Sequence, residues 1–100
     1  MLVHSVYFWL KPELTDAQRA EFRRGVESLK AIRCVEAVYV GAPAGVPDRS
    51  VVDKSFSVGL TVVCRDVAAH DAYQADPIHT AFAATFKTFW SRLTIFDSQS

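Results

Sequence analysis

The chain has 100 residues, which is the length of one domain spanning 1–100, and half of its residues are hydrophobic. Eleven basic and eleven acidic residues give a formal net charge of zero. This balance argues against nucleic-acid and membrane-surface partners, because both favour a basic excess. The apolar runs are too short for a membrane span, and Met1 leads directly into a strand-like run, so we expect a cytoplasmic protein.

The remaining composition predicts neither a metal site nor a cofactor. The three histidines have no partner four residues away and no neighbouring cysteine pair, and the four glycines are scattered. Cys34 and Cys64 lack motif spacing, which leaves a disulfide and two buried thiols open. Buried thiols in a reducing compartment are the favoured interpretation.

The first half of the chain predicts a strand, a helix and a second strand. Aromatic and β-branched residues predict a strand over Val3–Leu10 with two largely apolar faces. Thr15 and Gln18 form a capping box that begins a helix running to about Ile32. Val35–Gly41 is the second predicted strand.

The predicted first helix has an inward stripe that includes a glycine. The apolar members of this stripe are Phe22, Val26, Leu29 and Ile32. Gly25 lies on the same side, at a cost of about 1 kcal/mol relative to alanine. Close packing of the helix on the sheet is the favoured explanation, and room for a ligand is the alternative.

The second half predicts a long loop over Ala42–Asp53, whose role as a lid, a binding arm or a disordered excursion stays open. Alternating apolar residues predict a third strand over Phe56–Cys64. A helix over Val67–Ala75, a second helix directly after it and a last strand over Arg92–Asp97 complete the chain.

This order of elements is typical of the α+β ferredoxin-like fold, βαββαβ, in which helices cover one face of a four-stranded antiparallel sheet. The opposite face would carry Tyr7, Trp9 and other apolar residues. Such a patch is larger than monomers usually expose. We therefore expect a homodimer that pairs two sheets as a dimeric α+β barrel.

Two side chains near one helix start are the best-placed chemical groups. Asp76 followed by Pro77 predicts a cap and a first helical position, which makes His79 the third helical residue and leaves Tyr73 one turn earlier. The helix dipole favours a neutral imidazole, whereas Asp76 opposes it. His79 could then remove a proton α to a carbonyl while Tyr73 donates to the developing enolate.

Each of these residues also has a purely structural explanation. His79 could bond local backbone, and Tyr73 could pack at a helix end with its hydroxyl in water. His4 shares a strand face with Val6 and Phe8, where a buried histidine satisfied by hydrogen bonds is the ordinary case and orienting His79 or a ligand is the alternative. His70 is expected to be a solvated surface group.

Three segments resemble the stress-responsive dimeric α/β-barrel (Dabb) family: Val3–Lys11, Asp76–Phe82 and Leu93–Asp97. The resemblance extends over nearly the whole chain with the same order of elements. The C-terminal third is similar to the plant polyketide cyclases of the olivetolic acid type, which close a linear polyketide acid into an aromatic ring by aldol chemistry.

The resemblance implies a dimeric barrel with a pocket between sheet and helices in each subunit. Tyr73 and His79 match the catalytic tyrosine and histidine of the cyclases, and His4 matches their first-strand pocket histidine. Val58 and Val26 stand where the cyclases carry a histidine and a tyrosine, so a more apolar pocket is expected. The expected lining residues are His4, Val6, Phe8, Phe22, Val26, Leu29, Val58 and Phe82.

Three functions remain open from the sequence. The first is a dimeric enzyme of cyclase, isomerase or lyase type that acts on a small apolar carbonyl compound. The second is a non-catalytic, stress-responsive dimer that binds such a ligand. The third is a haem-binding or haem-degrading barrel. Family membership alone does not decide between them.

Overall fold

The computed structural model describes residues 1–100 and contains four strands, three α-helices and a 3-10 helix. The strands are β1 (Leu2–Leu10), β2 (Ala37–Gly41), β3 (Val58–Cys64) and β4 (Trp90–Gln99). The α-helices are α1 (Asp16–Glu27), α2 (Val67–Ala75) and α3 (Pro77–Phe86), and the 3-10 helix Ser28–Ala31 extends α1.

The strands form one antiparallel sheet in the order β2-β3-β1-β4, and the helices pack on one of its faces. The predicted ferredoxin-like α+β fold is therefore confirmed. None of the helices combines the length and the apolar character that a membrane crossing would need.

Every strand differs from its predicted bounds by one or two residues. β1 begins one residue earlier, at Leu2, and β2 begins two residues later, at Ala37. β4 extends beyond the expected Arg92–Asp97 at both ends, and its pairing with β1 continues to the Leu2–Gln99 pair. β3 begins at Val58, where its pairing with β1 begins opposite Phe8. Phe56 leaves the expected buried face and packs against Tyr7, with ring centroids 4.9 Å apart.

The predicted capping box at the start of α1 is present. Thr15 Oγ1 accepts from the Gln18 backbone N–H at 3.1 Å, and Gln18 Oε1 accepts from the Thr15 backbone N–H at 2.8 Å. The helix ends earlier than expected, and its last turn narrows to a 3-10 helix. There the Ser28 hydroxyl donates to the Gly25 carbonyl.

The core lies between the helices and the face of the sheet that they cover. The inward residues of β1 and β3 alternate with outward ones, as expected for strands packed on one side by helices. α1 contributes Phe22 and Val26, both fully buried. The Phe22 ring contacts the rings of Phe8 and Phe86 at centroid distances of 5.1 and 5.6 Å.

Gly25 is the point of closest approach between α1 and α3. A Cβ at this position would lie 2.7 Å from Phe86 Cζ and closer still to Phe86 Cε2. The Phe86 ring is buried against Phe22 and Phe89, which limits its movement. Close packing, rather than room for a ligand, therefore explains this glycine, but the packing partner is helix α3 and not the expected sheet.

We predict that Gly25→Ala lowers the free energy of unfolding by about 1–3 kcal/mol, because overpacking outweighs the better helix propensity of alanine. Urea denaturation measures this change. Gly45→Ala is the matched control, since a Cβ there meets nothing within 4 Å. Equal stability of the two variants would show that the Gly25 contact relaxes without cost.

Candidate functional site

A cavity of about 180 Å³ lies between the α2–α3 pair and the strands β1 and β4. Its lining is mostly apolar and includes Val6, Phe8, Leu93 and Ile95 from the sheet and Phe82 and Ala83 from α3. Leu93 and Ile95 are partly exposed, so the cavity opens along the β4 edge of the sheet. The polar members of the lining are His4, Tyr73, Gln74 and His79.

The break between α2 and α3 positions the two candidate catalytic groups. Asp76 Oδ1 accepts from the Ile78 backbone N–H at 2.8 Å and caps α3, while the Asp76 N–H donates to Tyr73 O at 3.2 Å. The chain therefore changes direction between Tyr73 and His79. Their rings face each other at a centroid distance of 4.9 Å and an angle of 61°.

The Tyr73 hydroxyl is a buried donor without a partner. Its side chain is fully buried, and no hydrogen bond satisfies its oxygen. Burial raises the pKa of Tyr73 far above its ordinary value, so the phenol stays protonated. The alternative of a hydroxyl in water is wrong, because no solvent reaches this atom.

The His79 imidazole is half-buried at the first turn of α3. Burial is the largest cause of the lowered pKa of His79, and electrostatic repulsion by His4 lowers this pKa further. A backbone hydrogen bond at Gln74 and the Asp76 carboxylate raise this pKa but do not outweigh burial. The neutral, basic form is therefore favoured, chiefly through desolvation.

His4 lines the cavity, and each of its two ring nitrogens has a hydrogen-bond partner. Its Nδ1 lies 2.6 Å from Asp97 Oδ1, and its Nε2 lies 3.3 Å from Gln74 Nε2. Donation from Nδ1–H to the carboxylate makes Nε2 the acceptor of the Gln74 amide. The ring also packs edge-on against Tyr73, with centroids 5.9 Å apart.

His70 was expected at the surface, and that expectation is wrong. Its ring lies 5.0 Å from that of His4, and its Nε2 is buried without a hydrogen-bond partner. The neighbours Ala68, Ala69 and Asp71 suggested a solvated face. The spacing of three residues to Tyr73 is the signal that could have found it, since residues three apart share a helix face.

Seven of the expected residues meet at this cavity: His4, Val6, Phe8, Leu29, Tyr73, His79 and Phe82. The expectation that Phe22, Val26 and Val58 line it is corrected by their positions in the core, outside the lining. Phe8 and Phe82 both line the cavity, and both contact the Phe22 ring. These two side chains therefore separate Phe22 from the cavity. Leu60, Gln74, Ala83, Trp90, Leu93 and Ile95 are lining residues that the sequence did not indicate.

Fold and cavity together define a ferredoxin-like α+β domain with a recess between helices and sheet. The Stress responsive A/B Barrel Domain (Dabb) model matches residues 2–100, so the chain belongs to this family. It is 29% identical over 99 residues to the olivetolic acid cyclase of Cannabis sativa, covering 94% of this chain and 91% of that protein. The resemblance found in the sequence is thereby confirmed.

Solved structures share the fold at lower identity. A dimeric ferredoxin-like protein of unknown function from Thermobifida fusca superposes with a TM-score of 0.79 at 17% identity, covering 99% of this chain and 90% of that one. The hydroxynitrile lyase from Passiflora edulis gives a TM-score of 0.78 at 19% identity, with coverages of 97% and 90%.

We predict that His79 makes the protein less stable in mild acid. Because its pKa is below 6.5 in the folded state, the folded protein binds fewer protons than the unfolded chain as the pH falls through 6.5. Stability should therefore decrease from pH 7 towards pH 5 more steeply in the wild type than in His79→Gln. Urea unfolding of both proteins measures the difference. Parallel profiles would contradict a lowered pKa.

Proposed function

We propose that this protein binds a small, largely apolar carbonyl compound in the cavity and removes a proton from the carbon next to the carbonyl group. His79 is the general base and Tyr73 the hydrogen-bond donor. The observation that carries this proposal is the Tyr73 side chain, which lines the apolar cavity, packs its ring against His79 and has a buried hydroxyl without a hydrogen-bond partner. A buried donor of this kind costs about 1–3 kcal/mol until an acceptor reaches it.

These two side chains account for the proton and for the negative charge that the transfer produces. Neutral His79 takes the proton from carbon and becomes an imidazolium, while the electron pair moves onto the carbonyl oxygen as an enolate. The protonated Tyr73 hydroxyl donates a hydrogen bond to that oxygen. Few waters compete in the apolar lining, which strengthens this interaction. The imidazolium then returns its proton to carbon or to a new oxygen, as isomerisation or aldol ring closure requires.

The relatives and the cavity volume narrow the proposal. A cyclase and a hydroxynitrile lyase among the similar proteins support catalysis of this general class.

The volume of about 180 Å³ lies below the roughly 300–1,000 Å³ of common ligand pockets. A small substrate is favoured, and haem, which is larger than a drug-sized ligand, is disfavoured. Non-catalytic ligand binding is the alternative, and the influence of the Gln74 backbone on the His79 pKa supports a structural role for this imidazole.

We also propose that the working form is a homodimer joined through the outer face of the sheet, the face opposite the helices. Phe96 is 64% exposed on this face, with its ring centroid 6.5 Å from that of Tyr7, which in turn packs against Phe56. Tyr39, on the β2 edge of the same face, is equally exposed. Single aromatic residues at this exposure are common, but a contiguous group favours a partner surface. The Thermobifida fusca structure is that of a dimeric protein, which supports a dimer.

The expected cytoplasmic location remains a proposal. Cys34 and Cys64 are both free thiols, which is typical of a reducing compartment. Cys64 is buried as expected, whereas the expectation of a buried Cys34 is wrong, because this residue is exposed.

The catalytic roles are tested by hydrogen–deuterium exchange at the α-carbon of cyclohexanone in D₂O, followed by proton NMR. We expect the wild type to accelerate exchange. His79→Gln should lower the rate by about 10²–10⁴-fold, as for loss of a general base, and Tyr73→Phe by about 10²–10³-fold, as for loss of one donor. Thr80→Val, at an exposed position of α3 outside the cavity lining, is the control and should retain the wild-type rate.

Unchanged exchange in both site variants would remove these roles from Tyr73 and His79. Saturable binding of cyclohexanone without accelerated exchange would instead favour the non-catalytic alternative.

The dimer is tested with Phe96→Asp. Placing a carboxylate within the aromatic group of the outer face should convert the dimer to a monomer, because burying an unpaired charge is costly. Multi-angle light scattering at micromolar concentration measures the mass. Val67→Asp, at a 45% exposed position on the helix side, should stay dimeric. A wild-type protein that elutes as a monomer would refute the arrangement.

A further inference from the structure

Two of the three histidines lie together but have no part in the proposed proton transfer. His4 comes from β1 and His70 from α2, and their rings lie 5.0 Å apart at an angle of 67°. The sequence predicted no metal site because it offered no short histidine spacing. That criterion applies to ligands on one element, whereas these two residues come from different elements.

Each imidazole has a carboxylate at its Nδ1 atom. His4 Nδ1 lies 2.6 Å from Asp97 Oδ1, and His70 Nδ1 lies 3.1 Å from Asp71 Oδ1. When Nδ1–H donates to a carboxylate, the tautomer is fixed and the lone pair is on Nε2. Metal-binding histidines commonly have this outer carboxylate, which orients the ring and makes Nε2 more basic.

Both Nε2 atoms lack a strong partner. His70 Nε2 is buried and makes no hydrogen bond, and His4 Nε2 has only the Gln74 amide at 3.3 Å. One donor atom from each of His4, His70 and Asp97 lies within 4.8 Å of the other two. An unsatisfied nitrogen in a buried position, close to a second imidazole, needs a water or an ion to satisfy it.

We propose that His4 and His70 bind a divalent transition-metal ion through their Nε2 atoms, with Asp97 and Asp71 as outer hydrogen-bond partners. Imidazole ligands suit Zn²⁺, Co²⁺, Ni²⁺ or Cu²⁺, whereas Mg²⁺ and Ca²⁺ prefer oxygen. The Gln74 side chain, turned so that its oxygen faces the ion, is a candidate third ligand. Water or a ligand would complete the coordination, as in zinc sites with an open position.

The proposed metal ligands adjoin the cavity that holds the proposed base. His4 and Gln74 line this cavity together with His79, and the His4 ring packs against Tyr73. The metal proposal uses none of the proton-transfer roles of Tyr73 and His79, and binding measurements test it without any substrate.

The test is calorimetric titration of the chelator-treated protein with ZnCl₂, together with visible spectra during titration with CoCl₂. We expect one ion per chain and Co²⁺ absorption bands typical of nitrogen coordination. His70→Ala should weaken binding roughly 100-fold or more, and Asp97→Asn about 10–100-fold, the range measured for outer-shell partners. His79→Gln is the matched control and should bind as the wild type does.

Three results would overturn the proposal. One is the absence of binding at millimolar metal, which would indicate that water bridges the two nitrogens. The second is equal affinity in His70→Ala and the wild type, and the third is loss of binding in His79→Gln. Circular dichroism checks the fold of each variant, and His70→Gln replaces His70→Ala if the alanine variant unfolds.

Discussion

The cap that Asp76 makes on α3 is the interaction on which the site depends. Its carboxylate accepts the Ile78 N–H while its own N–H closes the last turn of α2, so one residue ends one helix and begins the next. Pro77 suits this junction because the first helical position needs no N–H donor. The change of direction brings Tyr73 and His79 together above the sheet, which neither helix could do alone.

Burial then gives the two groups complementary properties. The same desolvation raises the pKa of Tyr73 and lowers that of His79, because in each case it disfavours the charged form. One side chain is thereby kept as a neutral donor and the other as a neutral base. The sequence alone left the protonation of His79 undecided between the helix dipole and Asp76, and burial proves to be the largest cause.

Local features were predictable from the sequence, and contacts between distant elements were not. The capping box at Thr15 and the break at Asp76 depend on residues within one turn, and both are present as predicted. Phe56 and His70 were misplaced because their surroundings come from other elements: β1 residues draw Phe56 to the outer face and enclose His70. The lining residues from β4 were missed for the same reason.

The most direct test of this account is a crystal structure of the protein with bound cyclohexanone. We expect the ketone in the cavity, with its oxygen about 2.6–3.0 Å from the Tyr73 hydroxyl and an α-carbon facing a nitrogen of His79. A ketone bound elsewhere, or a Tyr73 hydroxyl bonded to another protein group in its presence, would contradict the account.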